Sequence, residues 1–137
     1  MINELEIYNF KCFQSLSIQP RNLNILMGLN GMGKSTVLQI FLLLRQSWME
    51  NKLEGLKLNS KYVKLGNGTD VLYERSEDEK IRIRIMEDDI QMDMSFEYDA
   101  SSDLLNKEKA IVSTESFQKS VLFSNRFLYL SAFRSTW

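Results

Sequence analysis

The sequence predicts an α/β chain in which an antiparallel β arm lies beside a buried strand, a glycine-rich loop and a buried helix, all on a mixed sheet. Three observations carry that expectation. Two short stretches near the N terminus alternate apolar and polar residues, an apolar run breaks into glycines just before a helical stripe, and a second alternating pair lies between residues 81 and 98. With 137 residues, 44% hydrophobic and 26% charged, the chain has the length and apolar content of one folding unit.

Residues 5–10 and 13–18 set Leu5 and Ile7, then Leu16 and Ile18, among polar neighbours, which predicts a half-exposed antiparallel pair. After Pro20, Leu23-Asn24-Ile25-Leu26-Met27 is short and almost continuously apolar, as a strand buried on both faces is. From Lys34 to about Glu50, the residues Val37, Ile40, Phe41, Leu44 and Trp48 recur at steps of three and four, and Leu38, Leu42 and Met49 widen the stripe. This predicts a helix buried over most of its girth. The segment 51–62 is mixed and polar, Gly66-Asn67-Gly68 is a turn, and Thr69-Asp70 can cap a short helix through Tyr73. Ile81, Ile83 and Ile85 alternate with Arg82 and Arg84; Ile90, Met92, Met94, Phe96 and Tyr98 alternate with Gln91, Asp93, Ser95 and Glu97; Glu87-Asp88-Asp89 joins them into a hairpin. Residues 100–109 read as a polar loop, 113–124 as a helix opened by Ser113 or Thr114, and 127–132 as a last strand. No repeat, low-complexity tract or linker interrupts the chain.

Composition excludes several chemistries. Without histidine there is no Ser-His-Asp triad, Cys-His dyad or His-ligated zinc unless a partner supplies the imidazole. The lone Cys12 closes no intramolecular disulfide and reads as a small buried hydrophobe on a strand, in a reduced compartment. Seventeen Lys+Arg against 18 Asp+Glu give no whole-molecule field that would draw in nucleic acid or an anionic membrane. Met1-Ile2-Asn3-Glu4 carries acid where a signal peptide carries base, and residues 37–44, the longest apolar-rich stretch, are too few to cross a bilayer. The expected location is the cytoplasm, with no membrane partner.

The segment with chemistry in it is Gly28-Leu29-Asn30-Gly31-Met32-Gly33-Lys34-Ser35, which fits the phosphate-binding pattern G-x-x-x-x-G-K-[ST], followed by Thr36. Glycines let the backbone curl so that successive N–H groups face a β-phosphate, and the helix that follows adds the positive end of its dipole. Lys34 then reaches the β- and γ-phosphates and the Ser35 hydroxyl ligates Mg²⁺. The expected ligands are therefore ATP and Mg²⁺, held by Gly31, Met32, Gly33, Lys34, Ser35 and Thr36.

Leu5-x-Ile7-x-Asn9-Phe10-Lys11-x-Phe13, followed by the run from Leu23 through the phosphate pattern to Thr36, resembles the start of an ABC-class ATPase head. The resemblance is to the RecF and SMC type and is closer still to the bacterial OLD-like "AAA family" ATPases. Leu42-Leu43-Leu44-Arg45-Gln46-Ser47, Tyr62-Val63-x-Leu65-Gly66, Asp70-Val71-Leu72 and Tyr129-Leu130-Ser131-Ala132-x-Arg134 are similar to a small prokaryotic branch of that group. The resemblance implies that Asn30 faces the γ-phosphate and that Lys11 approaches the nucleotide. It implies a P-loop NTPase of ABC type, an N-terminal lobe spanning residues 1–137 that stops before the signature segment and Walker B, so that its core is incomplete. Neither a signature Ser-Gly-Gly, an acidic pair on a second apolar strand, a switch histidine nor a placeable glutamine is found, so no catalytic residue is assigned. Glu87-Asp88-Asp89 is a poor Walker B because Arg82 and Arg84 interrupt its strand. It reads as a solvated turn.

The function expected from this resemblance is ATP binding within an ATPase whose paired heads close over nucleotide. Its partners would be a second copy, a C-terminal lobe or partner subunit, and a DNA or nuclease component in DNA-related or defence processes. The alternative is a non-enzymatic nucleotide-binding or assembly fragment; a small P-loop kinase lacks its lid arginines and substrate acid pair. Lys80, Arg82 and Arg84 are expected on one solvated strand face. The acids Asp88, Asp89, Asp93 and Asp99 lack calcium-loop spacing, and Met86, Met92, Met94, Phe96 and Tyr98 are expected to pack in a core.

Overall fold

Isoleucine at every second position of 81–85 forces one face of that segment out of water, and the fold is organised around the strand that results. A computed structural model describes residues 2–19, 34–76, 78–88, 90–110, 120 and 123. Its elements are β1 (Ile2–Phe10), β2 (Phe13–Ile18), α1 (Lys34–Asn51), β3 (Gly55–Lys57), α2 (Gly68–Val71), β4 (Lys80–Glu87), β5 (Ile90–Glu97) and β6 (Leu104–Ala110). The strands form one sheet in the order β2-β1-β4-β5-β6-β3.

Register explains the two faces. Leu5 and Ile7 of β1 stand opposite Ile85 and Ile83 of β4, which stand opposite Met92 and Met94 of β5; Ile81 faces Phe96. All of these are buried, and they join Ile40, Leu43, Leu44 and Trp48 of α1 in one core cluster. Each such side chain removed from water contributes about 1.5–3 kcal/mol. The intervening register pairs, Glu6 with Arg84, Tyr8 with Arg82 and Arg84 with Asp93, occupy the opposite face of the sheet. Among the described residues, helix α1 packs on the apolar face.

The hairpin 81–97 and the pair β1/β2 form as expected, and Met92, Met94 and Phe96 are core, while Met86 stays exposed. Several expectations are corrected. Every strand pairing among the described residues is antiparallel, so the mixed sheet is not seen there. The stretch expected as a polar loop contains β6, whose charges are compensated by neighbours: Lys107 by Glu54 and Glu108 by Lys80. The polar segment after α1 contains β3 and the fully buried Leu53, Leu56 and Leu58. Cys12 is exposed in the β1–β2 turn instead of buried on a strand. In α1, Leu38 and Met49 are exposed, so its buried girth is narrower than expected. Helix α2 is capped at Asn67, not at Thr69-Asp70, and stops at Val71 because Leu72 turns extended and bridges to Phe10. Residues 23–27, 113–124 apart from Ser120 and Phe123, and 127–132 lie outside the described residues. No described helix is long and apolar enough to cross a membrane.

Candidate functional site

The phosphate pattern ends where α1 begins. Lys34 is the first residue of an 18-residue helix that runs for about 27 Å. Asn30, Gly31, Met32 and Gly33 lie outside the described residues, as do the side chains of Lys34 and Ser35. The backbone of that first turn leaves N–H groups with no carbonyl partner in the helix. No acidic side chain stands in the first turn to neutralise them. The end of α1 that the glycine pattern enters is thus left with its partial positive charge, a setting that fits a phosphate group. Thr36, one residue further, is buried. The residues present fit ATP and Mg²⁺ to this extent.

Lys11 is set by a different part of the molecule. Asn9 and Lys11 both take left-handed backbone, with φ of 62° and 52°, on either side of the fully buried Phe10. Asparagine tolerates that region better than most residues. The Asn9 side-chain amide donates to the carbonyls of Asp78 at 3.2 Å and Lys80 at 2.9 Å, and the Asn9 backbone carbonyl accepts from the Tyr73 N–H at 2.9 Å. The Lys11 N–H donates to the Val71 carbonyl at 2.6 Å. The turn that carries Lys11 is therefore held through backbone hydrogen bonds by α2 and the two residues that follow it.

On the open face of the sheet the three expected cations are matched by acids. Arg84 donates through Nε to Asp93 at 2.9 Å and lies 3.7 Å from Glu6; Lys80 pairs with Glu108 at 2.8 Å; Arg82 pairs with Asp78. The hydrogen bond between the Glu4 and Glu6 carboxyls pushes Glu4 above the usual carboxylate range. The same bond, with the Tyr8 hydroxyl donating at 2.8 Å, holds Glu6 below it. A shallow depression of about 330 Å³ beside this array is lined by Tyr8, Asn9, Gln14, Ser15, Asp78 and Arg82. Pairing of this kind leaves little free positive charge for a polyanion. Among the described residues no cluster of acids or cysteine suits a metal ion.

Glu87 departs from the solvated turn expected of it. It is 4% exposed at the end of β4, with the Ser120 hydroxyl 3.5 Å away. Strand β4 lies antiparallel to both its neighbours, which is not the parallel setting of a Walker B strand.

Sequence reading missed Gln46. It is 1% exposed on α1, and its Nε2 donates to the carbonyls of Lys57 at 2.6 Å and Val63 at 3.2 Å, while its Oε1 accepts from the N–H groups of Tyr62 at 3.1 Å and Val63 at 2.9 Å. The adjacent Ser47 hydroxyl accepts from the Lys57 N–H at 2.8 Å. The available signal was the polar run Arg45-Gln46-Ser47 between Leu44 and Trp48 in an otherwise largely apolar helix. Polar side chains are tolerated inside only when their hydrogen bonds are met.

No curated protein and no solved structure matches the chain. A family model described as "AAA ATPase domain" matches residues 1–132. That is nearly the whole length, and ATPases of this family bind nucleotide and generally use ATP and Mg²⁺. The chain belongs to the AAA ATPase domain family.

Proposed function

We propose that residues 28–35 form a Walker A loop that binds Mg·ATP, and that the chain is the N-terminal lobe of an ABC-class head of the RecF, SMC and OLD-like kind. The observation that carries this reading is the junction at Lys34, where the glycine pattern enters an α1 whose first turn holds no acid. The amides around Asn30, Gly31, Met32 and Gly33 hold the phosphates, Lys34 pairs with the β- and γ-phosphates, and Ser35 ligates the metal. Thr36 closes the first turn, and Lys11 approaches from the β1–β2 turn. Bound Mg²⁺ supplies charge neutralisation between the phosphates.

In this reading two heads close over nucleotide, and closure drives a DNA or nuclease component in the cytoplasm. The antiparallel setting of β4 favours the reading that this chain alone binds without hydrolysing, the acid coming from a second lobe or a partner subunit. Mg·ATP titrated calorimetrically into the chain gives a Kd below about 1 mM that is lost in Lys34→Ala. Equal heats in both proteins, or none in the wild type, contradict the site. Turnover by the chain alone that Lys34→Ala abolishes contradicts the division of labour.

A further inference from the structure

The two parts of the proposed nucleotide site, the start of α1 and the Lys11 turn, are joined by one segment, residues 57–73. At one end Gln46, Ser47 and Glu50 fasten it to the C-terminal half of α1. Gln46 makes the four hydrogen bonds described above, Ser47 accepts from the Lys57 N–H, and Glu50 accepts from the Ser60 hydroxyl at 2.7 Å. The segment is internally stiff. The Ser60 N–H bonds to the Val63 carbonyl at 3.0 Å, the Leu65 N–H to the Leu58 carbonyl at 2.9 Å, and Asn59 exchanges two hydrogen bonds with Gly66. It continues into α2, where the Asp70 carboxylate accepts from the Asn67 N–H at 2.8 Å. At its far end Val71 accepts from Lys11 and Tyr73 donates to Asn9.

Gln46 is the central fastening. Its amide uses both donors and both acceptor positions on backbone groups of 57–63, and so ties Lys57 on one arm of that loop and Tyr62 and Val63 on the other to α1. It lies twelve residues after Lys34, about 18 Å along the same rigid helix. We propose that Gln46 is a positioning residue for the nucleotide site: by fastening residues 57–73 to α1, it holds the Lys11 turn in register with the helix that begins at Lys34. This rests on the nucleotide-site reading above, and the test separates the two.

The test is amide hydrogen exchange on the full chain, wild type and Gln46→Leu, without nucleotide, followed by Mg·ATP affinity in a cycle with Lys11→Ala. Exchange at Tyr62 and Val63 speeds up in Gln46→Leu, and so does exchange at Lys11 and Tyr73, each by about tenfold for the loss of bonds of ordinary strength. Protection in β4 and β5 is unchanged. Mg·ATP affinity falls in Gln46→Leu, and Lys11→Ala then weakens binding less than it does in the wild type. Faster exchange at Tyr62 and Val63 with no change at Lys11 and Tyr73 overturns the proposal, as do additive losses of affinity. If β4 and β5 lose protection, Ser60→Ala, which cuts only the outer tie to Glu50, takes its place; the same pattern at lower amplitude supports the proposal, and no change at Lys11 and Tyr73 overturns it. A wild type that binds no Mg·ATP contradicts the nucleotide site, while the exchange data still decide the fastening.

Discussion

Replacing Gly68 by alanine tests the seat of α2 directly. A Cβ at this position would lie 2.0 Å from the Asp99 carbonyl oxygen and 2.8 Å from its carbon. Both are backbone atoms, so no side-chain rotation relieves the clash, and α2 must move off the 99–102 turn. That movement breaks the Gly68 N–H bond to the Ser102 carbonyl at 2.9 Å, the Thr69 N–H bond to the Ala100 carbonyl at 3.3 Å, and the Thr69 hydroxyl bond to the same carbonyl at 2.9 Å. Overpacking of this kind costs about 1–3 kcal/mol. Each lost hydrogen bond adds about 1 kcal/mol where water does not replace it. Because Thr69 is exposed, only the Gly68 bond is counted in full, giving about 2–4 kcal/mol in all. At this length that lowers Tm by roughly 8–15 °C. Thermal unfolding followed by circular dichroism measures it, with Thr69→Ala as the control that loses one exposed bond and melts within about 4 °C of the wild type. A Gly68→Ala protein melting within a degree of the wild type would refute the packing of α2 on Asp99.

Other outcomes follow from the sheet. Ile83, 1% exposed and set between Ile7 and Met94, leaves a cavity on truncation, so Ile83→Ala costs about 2–5 kcal/mol in urea unfolding; a loss below about 1 kcal/mol contradicts its place in the core. Glu4 has its folded pKa raised above the ordinary 4.5, so its contribution to stability is present below that value and is lost as pH rises through the folded one. Glu4→Gln therefore melts above the wild type at pH 7, and the gap narrows as pH falls below 4.5. An equal gap at both pH values would sink the hydrogen bond between the Glu4 and Glu6 carboxyls.

How much of this was legible in the sequence depended on whether burial left a period. Ile81, Ile83 and Ile85 against Arg82 and Arg84 did, because one face of β4 is core and the other carries ion pairs, Arg84 with Asp93 and Glu6 on the neighbouring strands and Arg82 with Asp78 just before β4. Strand β6 did not. Its Lys107 and Glu108 are tolerated because Glu54 and Lys80 compensate them, and such pairing across distant segments has no local signature. Strand β3 has three residues, too few for alternation to register. Cys12 was misplaced because small apolar character alone suggested burial, whereas the left-handed backbone at Lys11 sets Cys12 in the exposed turn between β1 and β2. At the site, the glycine pattern lies outside the described residues, while the start of α1 at Lys34 just after it was readable from the spacing of its apolar residues. Gln46 was not, since a single glutamine in a helix is usually solvated and only the returning loop shows that its amide is fully used.

The measurement closest to the central claim is the exchange footprint of Mg·ATP on the whole chain. Amides of residues 28–36 should gain protection on adding Mg·ATP, and Lys34→Ala should lose that gain while keeping the protection of β4 and β5. Protection that forms instead around Tyr8, Asp78 and Arg82, or a gain over 28–36 that survives Lys34→Ala, would contradict the assignment of the nucleotide to the start of α1.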